Sequence, residues 1–453
     1  MRKLFLVLTF MLAAIVSASA SVKYVFFFIG DGMGIGHVMA AETYNRTVLG
    51  NDQPLLMMQF PVTSMAMTYS ANNIVTDSAA AGTALATGEK TNNYMIGVRP
   101  DSTAVISLAS QLKAAGYGVG VVTSVAFDDA TPAAQYAHQP NRNMYREICA
   151  DGARSGFDFI AGAYTHDVKN SEAIFADFAD NGYAVAHGLK ALEGVKSAQK
   201  ILLTAGNPKK ENDLEFTIDS VPGVMTLRDM TAAGLEHLLR VSPDGFYMMV
   251  EGGNIDHAGH ANDGATVIKE ILNFQQSIRV AYDFYLQHPE ETLIVVTADH
   301  NTGGLSLGVD KGDGRVPLHL IDCQRISKDR FNDFCVAHKD YTWEEIKAAM
   351  GEKLGLWTVI PVTEDEEARM KAAYDLMGTK KDLSQKTLYK EFFSFSAIVY
   401  DILNHKYGIG FTTFSHAGNP VPVFAIGEGC EVFSRLNNNV EIPLKMKKLI
   451  DLD

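Results

Sequence analysis

The chain has 453 residues, of which 47% are hydrophobic and 20% are charged, and its formal net charge is −14. This length and composition allow a large buried core, in one α/β domain with an insertion or in two smaller domains. The negative net charge argues against nucleic-acid binding through the overall field, and no basic stripe in the sequence opposes that expectation.

The N-terminus has the pattern of a signal peptide. Arg2 and Lys3 form a short basic region, residues 4–16 are apolar apart from Thr9, and residues 18–20 (Ala-Ser-Ala) offer a cleavage site. The apolar run is short for a membrane span, and no later segment is apolar enough to cross a bilayer. We therefore expect residues 1–20 to be removed and the mature chain to be periplasmic or secreted.

Export would permit disulfide bonds. The chain has four cysteines, Cys149, Cys323, Cys335 and Cys430. They allow three complete pairings, among which the sequence does not choose. Cys323 and Cys335 are the nearest pair in the sequence.

Short, apolar, β-rich runs alternate with helical patterns along the chain. The strand-like runs cover residues 22–29, 118–123, 246–250, 293–297 and 421–426, and the helical patterns cover residues 107–115, 225–241 and 262–288. Continuous apolar strands are typical of a parallel sheet that is buried on both faces. The alternation predicts a three-layer α/β/α sandwich with a mainly parallel central sheet.

Residues 305–410 differ from the rest of the chain. They carry more charge and show short amphipathic helical patterns. We expect a largely helical insertion packed over the sheet, within a single catalytic domain at residues 21–453.

Residues 28–34 (Phe-Ile-Gly-Asp-Gly-Met-Gly) place Asp31 directly after the first predicted strand. Functional groups in open α/β sheets collect at the carboxyl ends of strands, and the glycines allow close approach of a ligand. A dinucleotide-binding glycine loop does not fit, because Ile35 and His37 follow where a third glycine is required. An aspartate in a glycine-rich turn is the commoner alternative.

Residues 76–84 predict a helix that begins near Ser78 and continues with small residues. The positive end of a helix dipole favours an anionic substrate and a developing alkoxide at that serine. The alternative is a simple helix cap.

Residues 128–132 (Asp-Asp-Ala-Thr-Pro) are followed by His138 and Arg142. The guanidinium fork of an arginine can hold two phosphate oxygens at once. A turn followed by a solvated helix is the alternative.

Residues 250–260 form the most specific local signal. Glu251 follows an apolar strand, and Asp256 and His260 are four positions apart, so one helical turn would put them on the same face. A carboxylate with an imidazole is an ordinary zinc ligand set. A core histidine or a surface turn is the less favoured alternative.

Two further stretches supply ligand-type residues near predicted strands. Asp299 and His300 end an apolar run, and since adjacent strand residues point to opposite faces, both can ligate one metal only if the chain leaves strand geometry there. His416 precedes the last apolar run, and a lone histidine more often has a structural role.

Taken in this order, these motifs resemble the alkaline phosphatase family. The resemblance covers almost the whole mature chain except residues 305–410. It implies hydrolysis of phosphate monoesters through a covalent phosphoserine, with Ser78 as the nucleophile and Arg142 as the phosphate clamp.

The resemblance also implies two zinc ions and a third metal, usually magnesium. The implied ligands are Asp256, His260 and His416 for one zinc, Asp31, Asp299 and His300 for the other, and Asp31, Thr131 and Glu251 for the third metal, with Asp129 beside it. His257 occupies a position that varies within the family, so the identity of the third metal stays open.

The chemistry agrees with this assignment. Two metals about 4 Å apart can stabilise the attacking and leaving oxygens of an in-line displacement. Without metal, the clustered carboxylates would repel a phosphate, and bound divalent ions would invert the local field.

Three other functions are alternatives to phosphate monoester hydrolysis. A sulfatase lacks support because residues 78–81 (Ser-Ala-Ala-Ala) do not contain the Pro and Arg of its signature. A phosphodiesterase would have to fit a second ester group beside Arg142. A non-catalytic zinc-binding protein would be expected to have lost one of the implied residues. The sequence leaves the oligomeric state open, a homodimer being one option.

Overall fold

The computed structural model describes residues 22–206, 213–309 and 314–452, so the predicted signal peptide lies outside the described residues. The strands in chain order are β1 (Tyr24–Ile29), β2 (Val62–Met67), β3 (Gly118–Thr123), β4 (Phe159–Gly162), β5 (Tyr183–His187), β6 (Lys200–Thr204), β7 (Phe246–Glu251), β8 (Thr292–Thr297), β9 (Asn301–Thr302), β10 (Ser306–Leu307), β11 (Gln385–Lys386), β12 (Glu391–Phe392), β13 (Ile409–Gly410), β14 (His416–Ala417), β15 (Val421–Gly427) and β16 (Asn437–Asn438).

One large sheet organises the described chain. Its ten strands follow the order β16-β2-β15-β8-β1-β7-β3-β4-β6-β5. Every neighbouring pair is parallel except those that β15 makes with β2 and β8. The prediction of a mainly parallel sheet is confirmed.

Helices cover this sheet. In chain order they are α1 (Ile35–Thr47), α2 (Ser78–Thr87), α3 (Leu108–Ala114), α4 (Ala130–Ala133), α5 (Tyr145–Arg154), α6 (Ser171–Asp180), α7 (Leu189–Glu193), α8 (Leu227–Val241), α9 (Asn254–Ala261), α10 (Gly264–Tyr285), α11 (Lys328–Ala337), α12 (Trp343–Leu354), α13 (Glu364–Tyr374), α14 (Ser394–Tyr407) and α15 (Glu441–Leu449).

The two faces of strand β7 show the three layers. The side chain of Met248 lies against Gly234 of α8, whereas the hydroxyl of Tyr247 donates to Gln135, just after α4, over 3.3 Å. Since successive strand residues point to opposite faces, α8 and α4 lie on opposite sides of the sheet. The prediction of an α/β/α sandwich is confirmed.

The strand ends are aligned at one edge of the sheet. Ile29 lies opposite both Glu251 and Thr297, the last residues of β7 and β8. Strand β15 runs the other way, so its first residue, Val421, lies near this same edge and pairs with Ala66, near the end of β2. Loops that follow the parallel strands therefore meet the loop that precedes β15.

The predicted helix at residues 262–288 begins later than its pattern indicated. Asn262 has φ of 51° and ends α9 in the left-handed conformation. Asp263 then caps α10, accepting from the amide of Thr266. Asparagine tolerates the left-handed conformation better than most residues, so it separates two helices here instead of starting one.

The helices at residues 305–410 pack on other helices. Residues 318–323 form a 3-10 helix beside α1, where Tyr44 donates to Asp322. Asn404 of α14 accepts from the amide of Gly264 over 3.1 Å. These contacts join the region to the first turn of α10, next to α9.

The four cysteines are free thiols in the structure. The nearest pair in the sequence, Cys323 and Cys335, therefore does not form a disulfide. Cys335 is fully buried in α11, whereas Cys323 is partly exposed.

Among the residues that the structure describes, no helix combines the length and the apolar character that a membrane span requires.

Candidate active site

The aligned strand ends bring the predicted residues together. Asp31 follows β1, Glu251 ends β7, Asp256 and His260 lie on α9 after β7, and Asp299 and His300 follow β8. His416 lies in β14, just before the antiparallel β15. The parallel strands bring the first six residues to one edge of the sheet, and His416 joins them because the antiparallel β15 begins at that edge.

One cluster is formed by Asp31, Asp299 and His300. The imidazole Nε2 of His300 lies 3.4 Å from Asp31 Oδ1 and 3.0 Å from Asp299 Oδ2. One ligand atom from each residue lies within 4.8 Å of the others, and all three side chains are buried. The chain bends at Asp299, between the end of β8 and the start of β9, so it leaves strand geometry there and Asp299 and His300 reach the same site.

A second cluster is formed by Asp256, His260 and His416. His260 Nε2 lies 3.5 Å from Asp256 Oδ2, and His416 Nε2 lies 3.7 Å from Asp256 Oδ1. The two imidazole nitrogens are 3.1 Å apart. Helix α9 places Asp256 and His260 one turn apart on the same face, as their spacing predicted.

The second nitrogen of each histidine in these clusters is held by the surrounding chain. His260 Nδ1 donates to the carbonyl of Phe414 over 2.7 Å, and His416 Nδ1 donates to that of Thr76 over 2.8 Å. A carbonyl only accepts, so each neutral ring carries its proton on Nδ1 and turns the lone pair of Nε2 into the site. This arrangement is typical of metal-binding histidines.

His300 follows the same rule. The Thr302 hydroxyl donates to Asp256, so its oxygen accepts from His300 Nδ1, 3.1 Å away. The Nε2 lone pair of a neutral His300 then faces the oxygens of Asp31 and Asp299. Within the described residues Asp31 Oδ1 and Asp299 Oδ2 make no hydrogen bond although both are buried. Three electron-rich atoms that converge in this way fit a cation.

Ser78 begins α2 next to these clusters. Asp77 caps the helix by accepting from the amide of Ala80 over 3.0 Å. The Ser78 Oγ lies 3.1 Å from His300 Nε2. His300 also has a ligand atom within 4.8 Å of those of Asp256 and His416, so the serine lies where the two clusters adjoin.

Arg142 reaches the site from the loop before α5. Its guanidinium lies 3.0 Å from Asp129 Oδ1 and 3.4 Å from Asp77 Oδ2, and only 7% of the residue is exposed. Two buried carboxylates thus hold the guanidinium close to the helix that begins at Ser78.

Glu251 and Thr131 lie near Asp31. The Thr131 hydroxyl donates to Asp31 Oδ2 over 3.3 Å, and the Thr123 hydroxyl donates to Glu251. Asp129 caps the short helix α4 and lies 3.2 Å from His166 Nε2. Thr131 is thus hydrogen-bonded to Asp31, Glu251 ends the strand beside β1, and Asp129 lies close to Arg142 and His166.

The protonation of these carboxylates reflects their burial. Burial, with the nearby Asp299, raises the pKa of Asp31 well above its ordinary value, and burial raises the pKa of Glu251 to about 8. Burial also acts on Asp256, but His260 and His416 outweigh it and lower its pKa. Buried like charges at such distances need a counter-charge, which divalent metal would supply.

Sequence reasoning named His257 but missed its partner Asp213 and two other residues near the ligands, His166 and Tyr389. His257, on the same helix as Asp256, pairs with Asp213 over 2.8 Å. His166 approaches Asp129, and Tyr389 donates to Asp256. Asp213, His166 and Tyr389 lie outside regular motifs, so no spacing signal could have found them.

Comparisons with known proteins agree on one family. The family model described as "Alkaline phosphatase" matches residues 22–172 and 169–452. "Alkaline phosphatase 4" of Bacillus subtilis is 30% identical over 432 residues, 93% of this chain and 87% of that protein. "Alkaline phosphatase 3" of the same species is 29% identical over 95% of this chain and 89% of its own length.

Solved structures give the same result. The cold-active enzyme of a psychrophilic Shewanella superimposes with a TM-score of 0.81 at 30% identity, covering 94% of this chain and 99% of its own. A variant of the TAB5 phosphatase with magnesium bound in its M3 site has a TM-score of 0.67 at 24% identity, covering 96% and 99%, and shows likeness of fold.

Proposed function

The chain belongs to the alkaline phosphatase family and is a metal-dependent phosphatase, and we propose that it hydrolyses phosphate monoesters through a phosphoserine at Ser78. The observation that carries this proposal is the position of Ser78 Oγ, 3.1 Å from Nε2 of His300, a residue with a ligand atom within 4.8 Å of those of Asp256 and His416 as well as those of Asp31 and Asp299. A nucleophile at that point can be served by both clusters.

The residues fit two zinc ions and a third metal. Asp256, His260 and His416 would hold one zinc, Asp31, Asp299 and His300 the other, and Asp31, Thr131 and Glu251, with Asp129 beside them, a third metal such as magnesium. When bound, these metals would lower the pKa of the serine hydroxyl and stabilise negative charge on the attacking and leaving oxygens.

The residues of the chain then have distinct tasks. Ser78 Oγ attacks phosphorus, loses its proton and displaces the alcohol, which leaves protonated. The positive end of helix α2 favours the phosphoryl oxygens, and Arg142 can hold two of them. A water molecule next attacks the phosphoserine and releases inorganic phosphate, which regenerates the Ser78 hydroxyl.

The remaining expectations belong to this proposal. Residues 21–453 form one catalytic domain with an insertion at about residues 305–410, the mature protein is periplasmic or secreted, and its substrates are small phosphate monoesters.

Stereochemistry at phosphorus tests the serine mechanism. Two in-line displacements give net retention, whereas direct attack by water gives inversion. We expect retention with an ester that is chiral at phosphorus, together with phosphate on the Ser78 peptide after acid quenching. Ser78→Ala should remove that label, and net inversion by the native protein would exclude the serine intermediate.

A further inference from the structure

The region at residues 305–410 brings the side chain of Tyr389 to a predicted metal ligand. Tyr389 lies in the turn between β11 and β12, and its hydroxyl donates to Asp256 Oδ2 over 3.1 Å. Its ring centroid lies 3.7 Å from that of His257 and 5.4 Å from that of His260. Tyr389 is 37% exposed, and it lines a cavity of about 640 Å³ that Arg142 also lines.

Asp256 is therefore held from two sides. The Thr302 hydroxyl donates to Oδ1 and the Tyr389 hydroxyl to Oδ2, while His416 and His260 approach the same two oxygens. The terminal torsion of an aspartate is soft, so a carboxylate without partners rotates over a broad range. A donor on each oxygen fixes the plane of the Asp256 carboxylate.

The turn that carries Tyr389 is itself fastened. The hydroxyl and the amide of Thr387 both donate to the carbonyl of Lys390, over 2.8 and 2.9 Å. Lys390 Nζ lies 2.9 Å from Asp333 Oδ1 of α11. The turn is thus closed internally and tied to a helix.

A buried lysine joins the hairpin to α9. Lys328 Nζ donates to the carbonyl of Ala261 over 2.8 Å and to the side chain of Gln385 over 3.1 Å. Only 1% of Lys328 is exposed. Ala261 ends the helix that carries Asp256, and Gln385 begins the hairpin that carries Tyr389. Lys328 therefore links the segment of the donor, Tyr389, to the segment of its acceptor, Asp256.

We infer that Tyr389 is a positioning residue that orients the Asp256 carboxylate for metal binding. The inference rests on the proposed function, in which Asp256 holds zinc. Loss of such an outer partner of a metal ligand typically weakens metal affinity by about 10- to 100-fold.

The test is Tyr389→Phe in the full-length mature protein, with zinc affinity measured by competition against a chromogenic chelator. We expect affinity to fall about tenfold or more. Turnover of a small aryl phosphate should fall at limiting zinc and recover at excess zinc, with little change in KM.

Tyr374→Phe is the matched control. The Tyr374 hydroxyl donates to the carbonyl of Tyr341 over 2.7 Å, within the same region but at neither ligand cluster. This variant should retain native zinc affinity, since it also removes a tyrosine hydroxyl, but one whose hydrogen-bond acceptor is not a predicted metal ligand.

Two outcomes would overturn the inference and are distinguishable. If Tyr389→Phe binds zinc as tightly as the native protein does, and the native protein needs zinc for turnover, then only the role of Tyr389 is overturned. A native protein that binds no zinc overturns the proposed function and this inference together.

Discussion

At the scale of single residues, Arg142 and Ser78 have different partners and should fail in different ways. The guanidinium is held by Asp129 and Asp77, whereas Ser78 adjoins the ligand clusters. Arg142 is therefore suited to bind phosphate, while most of the charge stabilisation would come from bound metal.

Arg142→Ala should weaken phosphate binding and leave measurable turnover. A hydrogen bond to a charged group contributes about 1.5–3 kcal/mol, so we expect inhibition by inorganic phosphate to weaken roughly 10- to 100-fold. Steady-state kinetics with phosphate as inhibitor measure this. Arg146→Ala is the control, because Arg146 pairs with Asp177 over 2.6 Å at a part-exposed position of α5. Turnover as low as that of Asp256→Asn would contradict the assigned role.

At the scale of elements, helix α10 buries an acid whose titration should affect stability. Glu270 is 3% exposed and accepts from the amide of Thr217 over 2.6 Å. Burial raises its pKa from 4.5 to about 7. Between pH 4.5 and about 7, Glu270 therefore keeps its proton in the folded protein but loses it in the unfolded chain. The stability that this proton contributes is lost as pH rises towards 7.

Glu270→Gln should remove that loss while keeping an acceptor for Thr217. We expect the difference between the unfolding free energies of the variant and the native protein to shift in favour of the variant by about 3 kcal/mol as pH rises from 4.5 to 7. Urea unfolding at fixed metal concentration measures the difference. Glu236→Gln on α8, with 69% of its side chain exposed, is the control and should show no such trend. A difference that is constant with pH would contradict the prediction.

The helices at residues 305–410 carry three histidines that we predict are not metal ligands. His338 Nδ1 bonds the carbonyl of Phe334 over 2.8 Å, His405 Nδ1 bonds that of Asp401 over 2.7 Å, and His319 is exposed. Replacing all three with Asn should leave metal content unchanged by elemental analysis, whereas His416→Asn should reduce it. Metal loss in the triple variant would place a ligand in this region.

At the scale of the whole molecule, metal should couple activity to stability. Five acidic residues, Asp31, Asp129, Glu251, Asp256 and Asp299, are buried at one edge of the sheet. A ligand that binds the folded state alone stabilises it, by about 2.7 kcal/mol at one hundred times its Kd.

Chelation should therefore abolish turnover and lower the melting temperature, and added zinc should restore both. Thermal unfolding and turnover, followed on samples whose metal loss is confirmed by elemental analysis, measure the coupling. Adding magnesium without zinc to the stripped protein gives the comparison for the predicted third metal site. Full turnover by metal-stripped protein would contradict the metal-dependent mechanism.

The fold class and the acidic and histidine residues that collect at the strand ends could be predicted from local patterns. A strand buried on both faces needs a continuous apolar run, and parallel strands end at a shared edge, so Asp31 and Asp299 could be placed together. Helical spacing likewise placed Asp256 beside His260. These inferences depend only on the chain within a few residues of each side chain.

Other features depended on packing between distant segments. The lone His416 reaches the site because β15 enters the sheet antiparallel, and Tyr389 reaches Asp256 because Lys328 and Lys390 fasten its hairpin. The free cysteines and the break at Asn262 were likewise decided by the folded chain. Contacts over more than a hundred residues, such as that of Tyr389 with Asp256, leave no periodic signal. Sequence patterns record secondary structure, whereas the partners of a side chain depend on which surfaces the tertiary fold brings together.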